Sequence, residues 1–436
     1  MLLENIHSAI KRTDYTLTDA NIDIWARQCV SAVENETFDF STAVKEVFTQ
    51  NGKRRVIYHY PKLSVENFIC HYLKKHLDKV FMIEYASRSK IINLLFNTIS
   101  ALKNMNDFVI IRADFKSFFD SVLSRFVYEK YVLPSLLPRE DKDILEKYID
   151  EYKYCYAGLC LSNGMTEIVC RDFDKKLKAR LTSFGVIFYE RYVDDMLIML
   201  NSYVSQDEIV NVINETISET FGTCPVKLNT SPGKFSYISR RGLLASQGFN
   251  FLGYEFFINE SNGKISFQYG ITEKKRKRYS NIIERAFAQY AVNHDEELFR
   301  QRIKIFSSRV VIARQLMETS FDWLTKGVIA NYNELRNYTD YLHRDTKDFL
   351  ENLYYGLLRK YHLKRPYFIP KKCNEKSMYN LLDNMMRNRT LLFEKNIGIP
   401  QEVLVDWILK IDASYSSQGK DYYRIVRDYL GKIKIE

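Results

Sequence analysis

The sequence predicts an α+β protein. Strong strand signals are confined to residues 107–260, where DFVIIRADF, VIFYERYVDDMLIML and GFNFLGYEFFI are rich in β-branched and aromatic residues. Helical apolar spacing occupies the chain on both sides of that region. Composition agrees: 436 residues with 46% apolar and 27% charged side chains bury a large core. The 16 Gly and 8 Pro are too few for long disordered or collagen-like tracts. No internal repeat and no Pro/Gly/Ser-rich linker divides the chain, so its boundaries are expected to be compact.

Residues 1–50 read as an N-terminal helical segment, with Asp19 or Asn21 as caps ahead of Ile22, Trp25, Ala26 and Val30. KRRVIYHYPKLS at 53–64 reads as a basic strand or turn, followed by helical spacing through Phe68, Ile69, Tyr72, Leu73 and Leu77. The three strand segments then alternate with helical patterns. After ESNGK at 260–264 and KKRKR at 274–278 the pattern reads as helical to the end, with Ile282, Ile283, Ala286, Phe287 and Tyr290 on one face.

Basic and acidic side chains are equal in number over residues 1–270, so the whole net charge of +10 falls on residues 271–436. A basic part on a neutral body is the footprint expected of a protein that binds phosphate backbones, although solvated helix faces give the same count. The seven cysteines form no Cys-x-x-Cys pair and are odd in number, which argues for reduced core thiols over a disulfide framework or zinc ribbon. No run of about 18 apolar residues is present, and charges interrupt the N-terminal stretch. Neither a membrane span nor a signal peptide is expected, and the cytoplasm is the expected location.

The carboxylates carry the chemistry. Asp114 follows the strand run VIIRA, and Asp194 and Asp195 lie between two apolar strands with the two-residue spacing of a tight hairpin. A carboxylate at the end of a buried strand is costly unless paired, and two adjacent ones repel unless a cation lies beside them. Phosphoryl transfer by two divalent cations is a chemistry that needs three clustered carboxylates.

Arg191-Tyr192-Val193-Asp194-Asp195 resembles the Tyr-x-Asp-Asp hairpin of reverse transcriptases. Asp114-Phe115-Lys116-Ser117-Phe118-Phe119-Asp120 resembles the first catalytic strand of group II intron, retron and related bacterial members, and GFNFLGYEF at 248–256 resembles their primer grip. The motifs stand in family order over about residues 50–270. The resemblance implies a right-hand polymerase, with fingers and palm over 51–270 and a basic helical thumb and C-terminal extension over 271–436. It implies Asp114, Asp194, Asp195 and the backbone carbonyl of Phe115 as ligands of two Mg²⁺ ions. Phe119, five residues after the first Asp, is implied as the ring beneath the sugar that excludes a 2′-hydroxyl, with Phe118 as a core aromatic.

The same resemblance implies a dNTP site drawing on Lys53, Arg55 and Arg88, from a fingers set that also includes Arg54, Lys62 and Lys90. In VKLNTSPGK, Lys227 and Lys234 each qualify as the lysine near the leaving pyrophosphate. Template and primer contacts are implied for Asn163, Gly164, Leu252, Gly253, Lys274 and Arg276. In GLCLSNGMT, Cys160 and Ser162 depart from the Leu-Pro-Gln-Gly pattern of the family's template segment. The following basic side chains Arg171, Lys175, Lys176, Lys178 and Arg180 read equally as nucleic-acid contacts or as a solvated helix face.

No HNH-type, ribonuclease H or integrase-like pattern accompanies these motifs, which makes the chain similar to retron, abortive-infection and defence-associated "unknown group" enzymes. The implied function is RNA-directed DNA synthesis in antiphage defence, templated by a noncoding RNA held partly by the basic region. Expected partners are that RNA, the DNA product and dNTPs, with a second copy of the chain or a second defence protein left open and no membrane. Two alternatives stand beside it: a protein-primed, template-independent DNA polymerase of abortive-infection type, and a catalytically idle nucleic-acid scaffold. An RNA-dependent RNA polymerase is disfavoured by Phe119.

Overall fold

The computed structural model describes residues 2–13, 17, 19–50, 53–243, 246–317 and 320–435. They form two compact units, Met1–Leu243 and Leu244–Glu436. This division falls ahead of residue 270, so the strand segment 246–271 belongs with the C-terminal unit.

The first unit opens with helices Leu2–Thr13 and Asp19–Glu34. The rest of the N-terminal segment departs from the expected helix: a short 3-10 turn, Phe40–Thr42, leads into a strand, β1 (Val44–Gln50), paired antiparallel with β2 (Lys53–His59). Its period-2 character is masked because both faces of an exposed hairpin tolerate polar side chains. Helices Val65–Val80 and Arg88–Ala101 follow, each capped by a serine: Ser64 accepts from the Asn67 N–H and Ser87 from the Lys90 N–H.

The central sheet is built from β3 (Val109–Asp114), β4 (Val186–Tyr192), β5 (Asp195–Leu200) and β6 (Ser236–Ser239), in the order β4-β5-β3-β6 with every neighbour antiparallel. Alternation explains its packing. Val109, Ile111 and Ala113 stand opposite Leu200, Ile198 and Met196, and all six enter one core with Phe173 and Leu177 of the helix Cys160–Leu181 and Phe221 of the helix Gln206–Phe221. That burial holds β3 and β5 in register, and register places the residues at their ends.

The β1–β2 hairpin is anchored by a close backbone approach. The Tyr58 N–H donates to the Ala157 carbonyl at 2.9 Å, and Gly158 next to it has φ +99°. A Cβ on Gly158 would lie 2.4 Å from the Tyr58 carbonyl oxygen. Gly158→Ala therefore meets both a backbone clash and a disallowed φ, and is expected to cost about 2 kcal/mol or more and to undock the hairpin. Thermal denaturation together with limited proteolysis at residues 44–59 checks this; a wild-type midpoint and cleavage pattern would contradict it.

The second unit begins with a meander of β7 (Ser246–Phe251), β8 (Tyr254–Ser261) and β9 (Lys264–Ile271), then helices Glu273–Asn293 and Glu296–Phe306. The remainder is mainly helical, with Arg344–Lys360, Gln401–Leu409 and Tyr422–Ile433 among its helices. It also contains a second sheet that the sequence reading took as helix: β10 (Arg309–Met317) pairs antiparallel with β11 (Ser320–Lys326) and parallel with β12 (Thr390–Phe393). A four-residue strand such as β12 is too short to show a period, and its partner lies far away in sequence. Val310 and Phe393 pack with Leu404, Ile408, Tyr422 and Tyr429 in the core that covers this sheet. All seven cysteines are free, and five are buried, as expected. No helix among the described residues is long and apolar enough to cross a membrane.

Candidate active site

Sheet register sets the site. β3 ends at Asp114 and β5 begins at Asp195, and these two are direct partners across the ladder. The hairpin tip is not Asp194-Asp195, as the spacing suggested, but Val193-Asp194, because Tyr192 pairs with Asp195. Val193 has φ +60°. A β-branched residue in that region is an outlier, and such strain persists only where the surroundings hold it. Asp194 meets β3 through its backbone: the Phe115 N–H donates to the Asp194 carbonyl at 3.2 Å.

Phe115 also forms a bridge to Leu228, in which the flanking groups make the hydrogen bonds, Lys116 N–H to the Lys227 carbonyl and Asn229 N–H to the Asp114 carbonyl. The carbonyl of Phe115 itself is left outside that ladder. Segment 227–234 thus runs beside Asp114, and the Lys234 ammonium contacts Asp114 Oδ2. Of the two lysines in VKLNTSPGK it is Lys234 that reaches the Asp114 carboxylate, while Lys227 has an exposed side chain.

Asp114 is buried, and its Oδ1 has no hydrogen-bond partner. Burial pushes the Asp195 carboxyl up to about 6, with Arg112 opposing and Asp194 adding to the rise. Asp194 is likewise raised, first by burial and then by Asp114, against the pull of Lys234 and Arg112. Arg112, in the middle of β3, is the residue sequence reasoning missed here. Its Nε donates to Asp195 Oδ1 at 2.9 Å and its NH1 to the Gly233 carbonyl at 2.7 Å. The available signal was an arginine inside an apolar strand, which must be paired to be buried.

Among the described residues no group of three or more His, Cys, Asp and Glu stands in metal-holding geometry. The protein's own cations, Lys234 and Arg112, engage two of the three carboxylates. The donor set still fits a divalent cation. An orphaned buried Oδ1 on Asp114 and two carboxyls raised by burial all gain from added positive charge.

Phe118 is buried, its ring stacked 4.9 Å from Phe115, while Phe119 next to it is only partly buried. Asn163 and Gly164 lie in the first turns of the helix Cys160–Leu181 rather than in a segment ahead of it, Asn163 exposed and Gly164 buried near Asp78 and Tyr85. Arg55 is exposed on β2, and Arg88 opens the helix Arg88–Ala101. Lys53 opens β2, its side chain outside the described residues. The basic face after residue 170 is largely spent inside the unit: Arg180 pairs with Glu215 and Glu219, Lys176 with Asp172 and Glu219, and Arg171 donates to the Phe81 carbonyl.

In the second unit, Leu252 and Gly253 form the two-residue turn between β7 and β8, with φ +48° and +86°. Gly253 therefore serves a turn that needs positive φ at both positions, not the strand interior that the pattern suggested. Lys274 is exposed in the first turn of the helix Glu273–Asn293. Arg276, expected at the nucleic acid, is engaged within its own unit. Its guanidinium donates to Glu255, the Ile271 carbonyl and Asp345, because the buried carboxylate of Glu255 requires it.

Residues 51–256 match the family described as reverse transcriptase (RNA-dependent DNA polymerase). No curated protein matches the chain. Among solved structures, the chain is similar to an apo telomerase from Candida tropicalis truncated from its C-terminal domain, at 13% identity and a TM-score of 0.37. The similarity covers 56% of this chain and 60% of that one.

Proposed function

From the premise that residues 51–256 form a reverse transcriptase domain, which makes the chain an RNA-directed DNA polymerase and so a nucleotidyltransferase, we propose that Asp114, Asp194 and Asp195 carry its chemistry. The observation that carries this reading is the register that sets Asp114 against Asp195, together with the unpartnered Asp114 Oδ1. In this reading the three carboxylates, with the Phe115 carbonyl, hold two Mg²⁺ ions. When bound, such ions activate the attacking 3′-hydroxyl and neutralise the leaving pyrophosphate.

The chain's own side chains supply the rest. Phe119 offers a flat ring beneath the sugar, and Lys53, Arg55 and Arg88 bind the triphosphate by charge-assisted hydrogen bonds. Lys234, once released from Asp114, would give a proton to the leaving group. Lys234→Met is accordingly expected to lower kcat for dNTP incorporation by ~10²-fold with a smaller change in KM. Single-turnover kinetics on a primed RNA template check this, and an unchanged kcat would remove Lys234 from the reaction.

The further reading is that this DNA synthesis serves antiphage defence and copies a noncoding RNA bound partly by residues 271–436. Its support is the placement of the entire +10 net charge in that part of the chain. A structured RNA would be held there through phosphate, 2′-hydroxyl and stacking contacts. Lys274 is exposed and remains in that proposed surface, and Leu252 and Gly253 are proposed to meet the primer. A second reading, protein-primed synthesis without a template, is favoured by Cys160 and Ser162 in the template segment.

The deciding experiment purifies the chain with its accompanying nucleic acid, adds each labelled dNTP or rNTP with Mg²⁺, and sequences the product with and without prior ribonuclease. The expected result is a DNA product, complementary to a co-purifying RNA, that is lost after ribonuclease. DNA made after ribonuclease and still attached to protein through phenol extraction would replace this reading with the protein-primed one.

A further inference from the structure

We propose that Arg191 is a positioning residue that fixes the strained Val193-Asp194 turn against the helix Cys160–Leu181, an inference that rests on the polymerase reading above. The Arg191 side chain is 5% exposed, and all five of its N–H donors are engaged. Nε and one NH2 hydrogen bind Asp174 at 2.9 Å, and Glu167 accepts from NH1 at 3.0 Å and from NH2 at 2.8 Å. The fifth donor goes to the Val193 carbonyl at 2.7 Å. Tyr189 adds a hydrogen bond from its hydroxyl to Asp174 Oδ1 at 2.6 Å, so the acceptors are themselves oriented.

Core stability alone does not call for this arrangement. One guanidinium against two carboxylates leaves net negative charge in a buried place, where apolar side chains of similar volume would serve the fold as well or better. What a guanidinium adds is a rigid fork: two arms are locked by carboxylates of one helix, and the remaining donor is aimed at a chosen point. That point is the carbonyl of the residue with φ +60°, immediately before Asp194. The next carbonyl, that of Asp194, is held by the Phe115 N–H, directly after Asp114. Two successive turn carbonyls are thereby held, one by Arg191 of β4, itself locked to the helix, and one by Phe115 just after β3.

The helix that supplies Glu167 and Asp174 also carries Asn163 and Gly164, one turn before Glu167. Arg191 thus ties the segment proposed for the template to the turn that bears the carboxylates. Reacting groups misplaced by about 1 Å lose on the order of 10²-fold in rate, so a loosened turn is visible in kcat before it is visible in stability.

The test uses the full chain on an RNA template with a DNA primer, reading kcat, KM for dNTP, the Mg²⁺ concentration for half-maximal rate, and the thermal midpoint. Arg191→Lys keeps the charge but cannot reach both carboxylates and the carbonyl. It is expected to lower kcat by ~10- to 100-fold, leave KM within about twofold, and raise the half-maximal Mg²⁺ concentration several-fold. Glu167→Gln keeps the guanidinium and sets an amide against one arm, so a smaller loss in kcat is expected. A wild-type kcat in either folded variant overturns the proposal, as does a loss equal to the unfolded fraction. Should Arg191→Lys fail to fold at the assay temperature, Glu167→Gln decides by the same criteria. An inactive wild-type chain would instead remove the polymerase reading.

Discussion

Replacing Asp114 by Asn, or Asp194 and Asp195 together by Ala, is expected to lower Mg²⁺-dependent dNTP incorporation by at least ~10³-fold, about 4 kcal/mol or more of transition-state stabilisation. The argument is structural before it is chemical. β3 and β5 are held in register by a buried apolar face, so the ends of the two strands stay put when a terminal side chain is changed. Burial already holds the carboxyl of Asp194 above its ordinary range, so the fold gains nothing from its charge at neutral pH, while Asp195 also serves as the partner of Arg112. Activity and stability should therefore separate at Asp194, whereas loss of Asp195 also unpairs the buried Arg112, so the double variant is expected to lose incorporation together with a lowered thermal midpoint. Primer extension on an RNA template, run beside circular dichroism, measures both. Retained incorporation in either variant would end the assignment of these three residues.

The second large effect is expected in sugar selectivity. Phe119→Val should lower the preference for dNTP over rNTP by on the order of 10²-fold, mainly through a gain in kcat/KM for rNTP, because a smaller side chain leaves room for the 2′-hydroxyl. The two adjacent aromatics are not equivalent. Phe118 is closed into the core against Phe115 and Phe221, whereas Phe119 is only partly buried in the same short turn, Phe118–Asp120. Phe118→Val is thus expected to cost stability with selectivity retained, which makes it the matched control. Paired dNTP and rNTP kinetics decide the matter, and an unchanged ratio in Phe119→Val would place the gate elsewhere.

Much of the α+β architecture was legible in the sequence, because it is written in local composition. The runs around Asp114 and around Asp194-Asp195 are apolar and β-branched, and they became β3, β4 and β5; GFNFLGYEFFI became β7 and β8. The residues that match the reverse transcriptase family, 51–256, take in the first two of these runs and most of the third. Polar faces hide β1, and a distant partner and a length of four residues hide β12; β10 carries β-branched residues at Val310, Val311 and Ile312, but these sit in a stretch whose neighbours on both sides read as helix. The boundary between units was equally hidden, since no linker composition announces residues 243–244.

At the site, residue order alone sets which carboxylates and which rings are available. Tertiary structure decided what the charged side chains do. Arg276, one of a basic run, is consumed by Glu255; Arg180 and Lys176 are consumed by the neighbouring helix; and Arg112, inside an apolar strand, and Arg191, next to Glu190, meet Asp195 and the Val193 carbonyl. The physical reason is that burial of apolar side chains follows local period, whereas a charge is settled by whichever opposite charge the fold brings within about 3 Å, and that partner lies anywhere in the chain.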